Sequence, residues 1–69
     1  MFDQRKLQAQ MALKGVNAKE VAEAIDINIA TFYRRLNNNG NFTRTDIQKM
    51  INFLDIKNPD EIFFAESDA

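Results

Sequence analysis

Apolar residues recur along this chain at helical spacing, and one five-residue offset introduces most of the runs. It appears as Phe2-Asp3…Leu7, Val16-Asn17…Val21, Ile27-Asn28…Phe32 and Phe42-Thr43…Ile47. Each places an apolar residue, a polar cap, and a second apolar residue five positions after the first. That is the hydrophobic staple: the residue before the N-cap packs on the fourth residue of the helix, while the cap side chain accepts a free backbone N–H. Glu20 and Asp46 stand three residues after Asn17 and Thr43. An acid there can return a bond to the cap's own N–H, and Asp46 has the shorter reach. A fifth start reads Asn58-Pro59-Asp60-Glu61-Ile62, with a cap, a proline at the first helical position and acids in the first turn. Lys57 stands there in place of the apolar staple residue.

The stops are consistent with these starts. Lys14-Gly15 ends the first run, with glycine free to turn left-handed. Asn37-Asn38-Asn39-Gly40-Asn41 reads as a loop, because Asn and Gly tolerate positive φ. Ile25-Asp26-Ile27 and Leu54-Asp55-Ile56 lack the glycine. Aspartate takes the left-handed conformation less readily, and it sets a negative charge where the helix dipole disfavours one. The pattern predicts five short helices, at about 3–14, 18–25, 29–37, 44–54 and 59–65, and no strand. The fold class is all-α, with a single domain over residues 1–65 and a short acidic tail at 66–69.

Spacing also nominates the core. Leu7 and Met11 share a face, as do Val21, Ala22 and Ile25, and Phe32 with Leu36. Ile47, Met50, Ile51 and Leu54 form a stripe, and Ile27, Phe42, Ile56, Ile62 and Phe63 or Phe64 close the ends. Phe53 lies off its own stripe. It is either a rim residue under the last helix or a contact to a second copy.

Composition narrows the chemistry. In 69 residues there is no Cys, His or Trp. The usual zinc, haem and iron–sulfur ligand sets are missing, and so are nucleophile–base pairs built on Cys or His. With two glycines there is no phosphate-cradling loop, and no acidic pair has a metal or glycosidase arrangement. No catalytic residue, metal, cofactor or small-molecule ligand is expected, and the protein is not read as an enzyme. No apolar run approaches the length of a membrane span, and the expected setting is the cytoplasm of a cell.

The net charge of −1 argues against a nucleic-acid partner until it is divided. Residues 1–53 carry eight cations against five acids, whereas 54–69 carry Lys57 against five acids. The stretch 28–49 holds Arg34, Arg35, Arg44 and Lys49 against Asp46 alone. A basic middle is joined to an acidic end.

Residues 18–37 read as a two-turn helix, a short turn and a second helix. Ala22 is small where the helices cross, Ile27 plugs the turn, and Phe32 and Leu36 anchor the second helix. This is the plan of a helix-turn-helix, whose second helix enters a major groove. The segment NAKEVAEAIDINIATFYRRL, Asn17 to Leu36, resembles the helix-turn-helix of the phage Cro and repressor proteins, the Xre-like family. Ala22 stands at the family's small residue and Phe32 at its branched apolar position. Asp26-Ile27-Asn28 stands where the family has Gly-apolar-Ser/Thr, so the turn glycine is replaced. The continuation through Leu36-Asn37-Asn38, Phe42-Thr43…Ile47…Leu54…Ile56 and Ile62-Phe63-Phe64 is similar to small Cro-like regulators of Gram-positive phages. The resemblance implies a five-helix lambda-repressor-like DNA-binding domain and a Cro-like repressor of a lysis–lysogeny switch. It also implies double-stranded operator DNA as the partner, bound by a homodimer.

At about 100° per residue, Ala30, Thr31 and Arg34 face outward from the second helix, with Tyr33 and Asn37 at one edge. Arg34 is the leading base reader, since its fork matches guanine O6 and N7. Ala30 and the Thr31 methyl suit thymine methyls. Ile29 and Tyr33 do the same or pack on the domain, and for Ile29 packing is favoured. The polar Gln or Ser that many family members carry at the start of this helix is absent. Candidate backbone contacts are the starts at Asn17, Asn28 and Thr43, the cations Lys19, Arg35 and Arg44, and the loop residues Asn38, Asn39 and Asn41. Lys19 and Arg35 are evenly balanced between phosphate contact and plain exposure. Phe53 and Phe64 are the candidate dimer contacts. The rival reading is a protein-interaction module of the same fold that modulates a partner repressor.

Overall fold

The structure, a computed structural model, describes residues 2–38 and 40–64. It has five helices: α1 (Gln4–Lys14), α2 (Ala18–Ala24), α3 (Ile29–Asn37), α4 (Arg44–Leu54) and α5 (Pro59–Phe63), with no strand among the described residues. The last helix is shorter than the pattern predicts, and residue 65 and the tail lie outside the described residues.

Four of the five starts form as read. Asp3 Oδ1 accepts from Lys6 N–H at 3.1 Å, Asn17 Oδ1 from Glu20 N–H at 2.9 Å, Asn28 Oδ1 from Ala30 N–H at 2.7 Å, and Thr43 Oγ1 from Asp46 N–H at 3.1 Å. Both acids return the bond, Glu20 at 3.1 Å and the shorter Asp46 at 3.4 Å. Each removes a second unpaired donor from the helix start. Of the staple residues, Phe2, Val16, Ile27 and Ile47 are half-buried against the core, whereas Phe42 lies within it. The fifth start differs. The Asn58 side chain makes no capping bond, and α5 begins on Pro59 with Glu61 N–H donating to the Asn58 carbonyl at 3.1 Å. Proline's fixed φ and the paired backbone carry that turn without the amide.

Three helix ends close in one way. Gly15, Asp26 and Asp55 all take positive φ, at 68°, 61° and 52°. The apolar residue after each donates its N–H five residues back: Val16 to Met11 at 3.1 Å, Ile27 to Ala22 at 3.0 Å and Ile56 to Ile51 at 3.0 Å. These bonds satisfy helix-end carbonyls and turn an apolar side chain inward.

The helices share one core. α2 packs on α3 and α4, and α1 on α4 and α5. Phe32, Leu7, Ile25, Met50, Leu54 and Val21 are its largest fully buried side chains. Ile47 and Ile51, placed on the stripe of α4, are only half-buried at its flank. Phe63 is the aromatic turned inward and Phe64 is exposed. A run of aromatic contacts joins the chain ends to α3: Phe63 to Phe2, Phe2 to Phe42, Phe42 to Phe32, at centroid separations of 6.0, 6.1 and 5.6 Å. Gly40 lies under the Phe2 ring at φ +66°, and a Cβ there would collide with that ring. Only glycine satisfies both the dihedral and the approach.

Candidate nucleic-acid interface

α3 is held by two anchors. Phe32 and Leu36 are buried, four residues apart on one face. That fixes the opposite face outward, and Ala30, Tyr33, Arg34 and Asn37 are exposed on it. Thr31 is half-buried at the flank, so it faces outward less fully than the wheel predicts. Ile29 is exposed at the first position of the helix, on the core-facing side of the wheel but uncovered. Tyr33 is 48% exposed, and its ring meets Phe32 edge-on at 6.1 Å. A ring so supported presents its hydroxyl with few rotamers open to it.

The two arginines of α3 stand in different environments. Arg34 is exposed and has no ion-pair partner among the described residues. Arg35 lies on the flank facing α4, where its guanidinium Nη1 donates to Asp46 Oδ2. Asp46 is the one buried charged residue among those described, 6% exposed, and its other bonds are to the Thr43 cap. The sequence offers no signal for this pair, because the partners are eleven residues apart across a loop.

The remaining candidates are placed as follows. Asn17, Asn28 and Thr43 are exposed, with a side-chain oxygen spent on capping. The two amide NH₂ groups and the Thr43 hydroxyl proton remain as donors. Lys19, Asn38 and Arg44 are exposed, and Asn39 lies outside the described residues. Arg44 also borders a surface groove of about 530 Å³ with Ile47, Gln48, Ile51, Pro59 and Phe64.

The two dimer candidates do not share this groove. Phe64, 58% exposed, lines it, whereas Phe53 does not. Phe53 follows Ile51 by two positions, about 200° around α4. A further exposed apolar residue, Leu13 at 77%, carries no signal in the sequence beyond lying off the α1 stripe. Among the described residues no acidic cluster could hold a metal ion, and no helix is long and apolar enough to cross a membrane.

Two capped helices joined through a left-handed turn, the second with an outward basic and aromatic face, define a helix-turn-helix DNA-binding domain. The family model for the Cro/C1-type helix-turn-helix DNA-binding domain matches residues 6–68, and the chain belongs to that family. It is a family of DNA-binding regulators rather than of enzymes. No curated protein and no solved structure matches the chain.

Proposed function

We propose that the protein is a Cro-like repressor of a phage lysis–lysogeny switch, acting in the bacterial cytoplasm. It inserts α3 into the major groove of double-stranded operator DNA. The observation that carries this is the contrast within α3: Arg34 is exposed beside Ala30 and Tyr33, with no ion-pair partner among the described residues, while Phe32 and Leu36 anchor the helix. Arg34 reads guanine. Ala30, Thr31 and Ile29 supply apolar contact to thymine methyls, and Tyr33 adds its hydroxyl at the edge. Asn17, Lys19, Asn28, Asn38, Asn39, Thr43 and Arg44 contact phosphate and sugar and set the register. The protein binds as a homodimer on half-sites about 34–36 Å apart. Phe53 and Phe64 remain candidate dimer contacts, both exposed, and Phe64 alone of the two lines the groove beside Ile47 and Ile51.

A gel-shift series across salt, on the intergenic DNA beside its own gene, tests this reading. Arg34→Ala should weaken specific binding by about 1–3 kcal/mol and relax the preference at one base pair. Few phosphate contacts imply a shallow salt slope. An Arg34→Ala variant that binds like the original protein would sink the assignment of the reading helix. A protein that shifts no duplex specifically but co-purifies with a second regulator would support the interaction-module reading instead.

A further inference from the structure

Arg35 stands at the centre of the α3–α4 connection. Its carbonyl accepts the N–H of Asn38 at 3.2 Å and of Asn41 at 3.3 Å. Its guanidinium reaches across the loop to the Asp46 carboxylate, which closes the Thr43 cap at the start of α4. One residue therefore fastens the loop's backbone at one end, and through Asp46 fastens the helix at the other. A buried carboxylate that leaves water needs this compensation, and losing one partner of such a pair is costly. The pair is also directional, since a planar guanidinium fixes orientation as well as distance.

We propose that Arg35 and Asp46 form a positioning pair for DNA binding, and that Arg35 itself does not contact phosphate. Resting on the DNA-binding reading above, the pair sets the loop residues Asn38 and Asn41 and the α4 start relative to α3. The polar groups of Asn38 and Thr43 then meet the backbone at a fixed distance from Arg34. The alternative, Arg35 as a phosphate ligand, makes opposite predictions, because Asp46 would then restrain a useful cation.

The test uses the full chain and a duplex that the protein itself enriches from a randomised pool, at a temperature where circular dichroism shows each variant folded. Asp46→Asn frees the Arg35 charge. The positioning role predicts roughly tenfold weaker specific binding with an unchanged salt slope, and nearly unchanged binding to a non-specific duplex. Arg35→Lys keeps the charge but not the fork, and should behave alike. Tighter binding by Asp46→Asn overturns the proposal. So does an Arg35→Met variant whose salt slope falls by about 0.9, the signature of one lost phosphate contact.

Amide exchange is read on the same proteins without DNA. In Asp46→Asn and Arg35→Lys the Asn38 and Asn41 amides should speed up by a larger factor than the Met11 amide in α1, which reports global opening. Equal exchange at Asn41 in both variants and the original protein overturns the loop-setting role. If the original protein enriches no duplex, the DNA-binding reading fails by itself, and the exchange arm still decides whether the pair orders the loop.

Discussion

The turns at Asp26 and Asp55 are built alike and do different things. Both residues are left-handed aspartates just past a helix, each followed by an isoleucine whose N–H bonds five residues back at 3.0 Å. The Asp26 side chain is exposed and makes no ion pair among the described residues. The Asp55 carboxylate accepts from Lys14 at 3.3 Å and from Lys57 at 3.0 Å. Nearby, Gln10 of α1 donates its side-chain N–H to the Leu54 carbonyl at 2.7 Å. The first turn sets the direction of α3, and the second stitches the end of α4 to the end of α1. The same backbone strain is left bare in one place and used as a link in the other.

The largest effect that separates the turns comes from their isoleucines. Ile56 is buried and Ile27 half-buried. Ile56→Ala should destabilise the domain by about 2–4 kcal/mol and Ile27→Ala by about half as much, measured by urea unfolding at constant slope. Equal losses would show that the two turns bury their plugs to the same depth in solution.

Next comes the aspartate itself. Asp26→Gly should stabilise by roughly 1 kcal/mol, because it removes left-handed strain and a charge at the wrong end of the α2 dipole. In a chain this size that is a rise in melting temperature of about 4–8 °C. A melting temperature equal to or below the original would count against it. Asp55→Gly relieves the same strain but discards two lysine contacts, so its melting temperature should rise clearly less than that of Asp26→Gly. A larger rise at position 55 would show that the lysine contacts contribute nothing.

The smallest effect is a pH dependence at the Asp55 turn. Hydrogen bonds from Lys57, then from Lys14, with the charges of both, hold the Asp55 carboxyl below its ordinary pKa. A depressed acid contributes its stability above the unfolded value, near pH 4, and loses it as the pH falls through the folded value. The melting temperature of Asp55→Asn should therefore depend less on pH below about 4 than that of the original protein. The group is exposed, so the difference should shrink further in high salt.

What was legible in the sequence is what local chemistry decides. Four staples and their caps needed only residues within five positions of each other, and all four caps form. The fifth failed at the same scale: Asn58 has the right residue type, but the backbone after Pro59 closes without its side chain. The outward face of α3 followed from Phe32 and Leu36, except that Thr31 is tucked toward its flank. The apolar pair at 63 and 64 could not be resolved by spacing in so short a helix. Spacing places Arg34 outward and leaves Arg35 balanced between phosphate contact and plain exposure, and a carboxylate eleven residues away engages Arg35.

By itself, the sequence determined the five helices, the caps of four of them, the helix-turn-helix and, Thr31 apart, the face of α3 turned away from the core. Those features depend on 3.6-residue periodicity and on caps that act within one turn. Only the tertiary structure decided which arginine of α3 meets a carboxylate, which turn aspartate meets two lysines, and that Phe64 lines a groove in which Phe53 has no part. Each of these depends on how one helix lies against another, and residues far apart in sequence meet there with no local pattern to announce them.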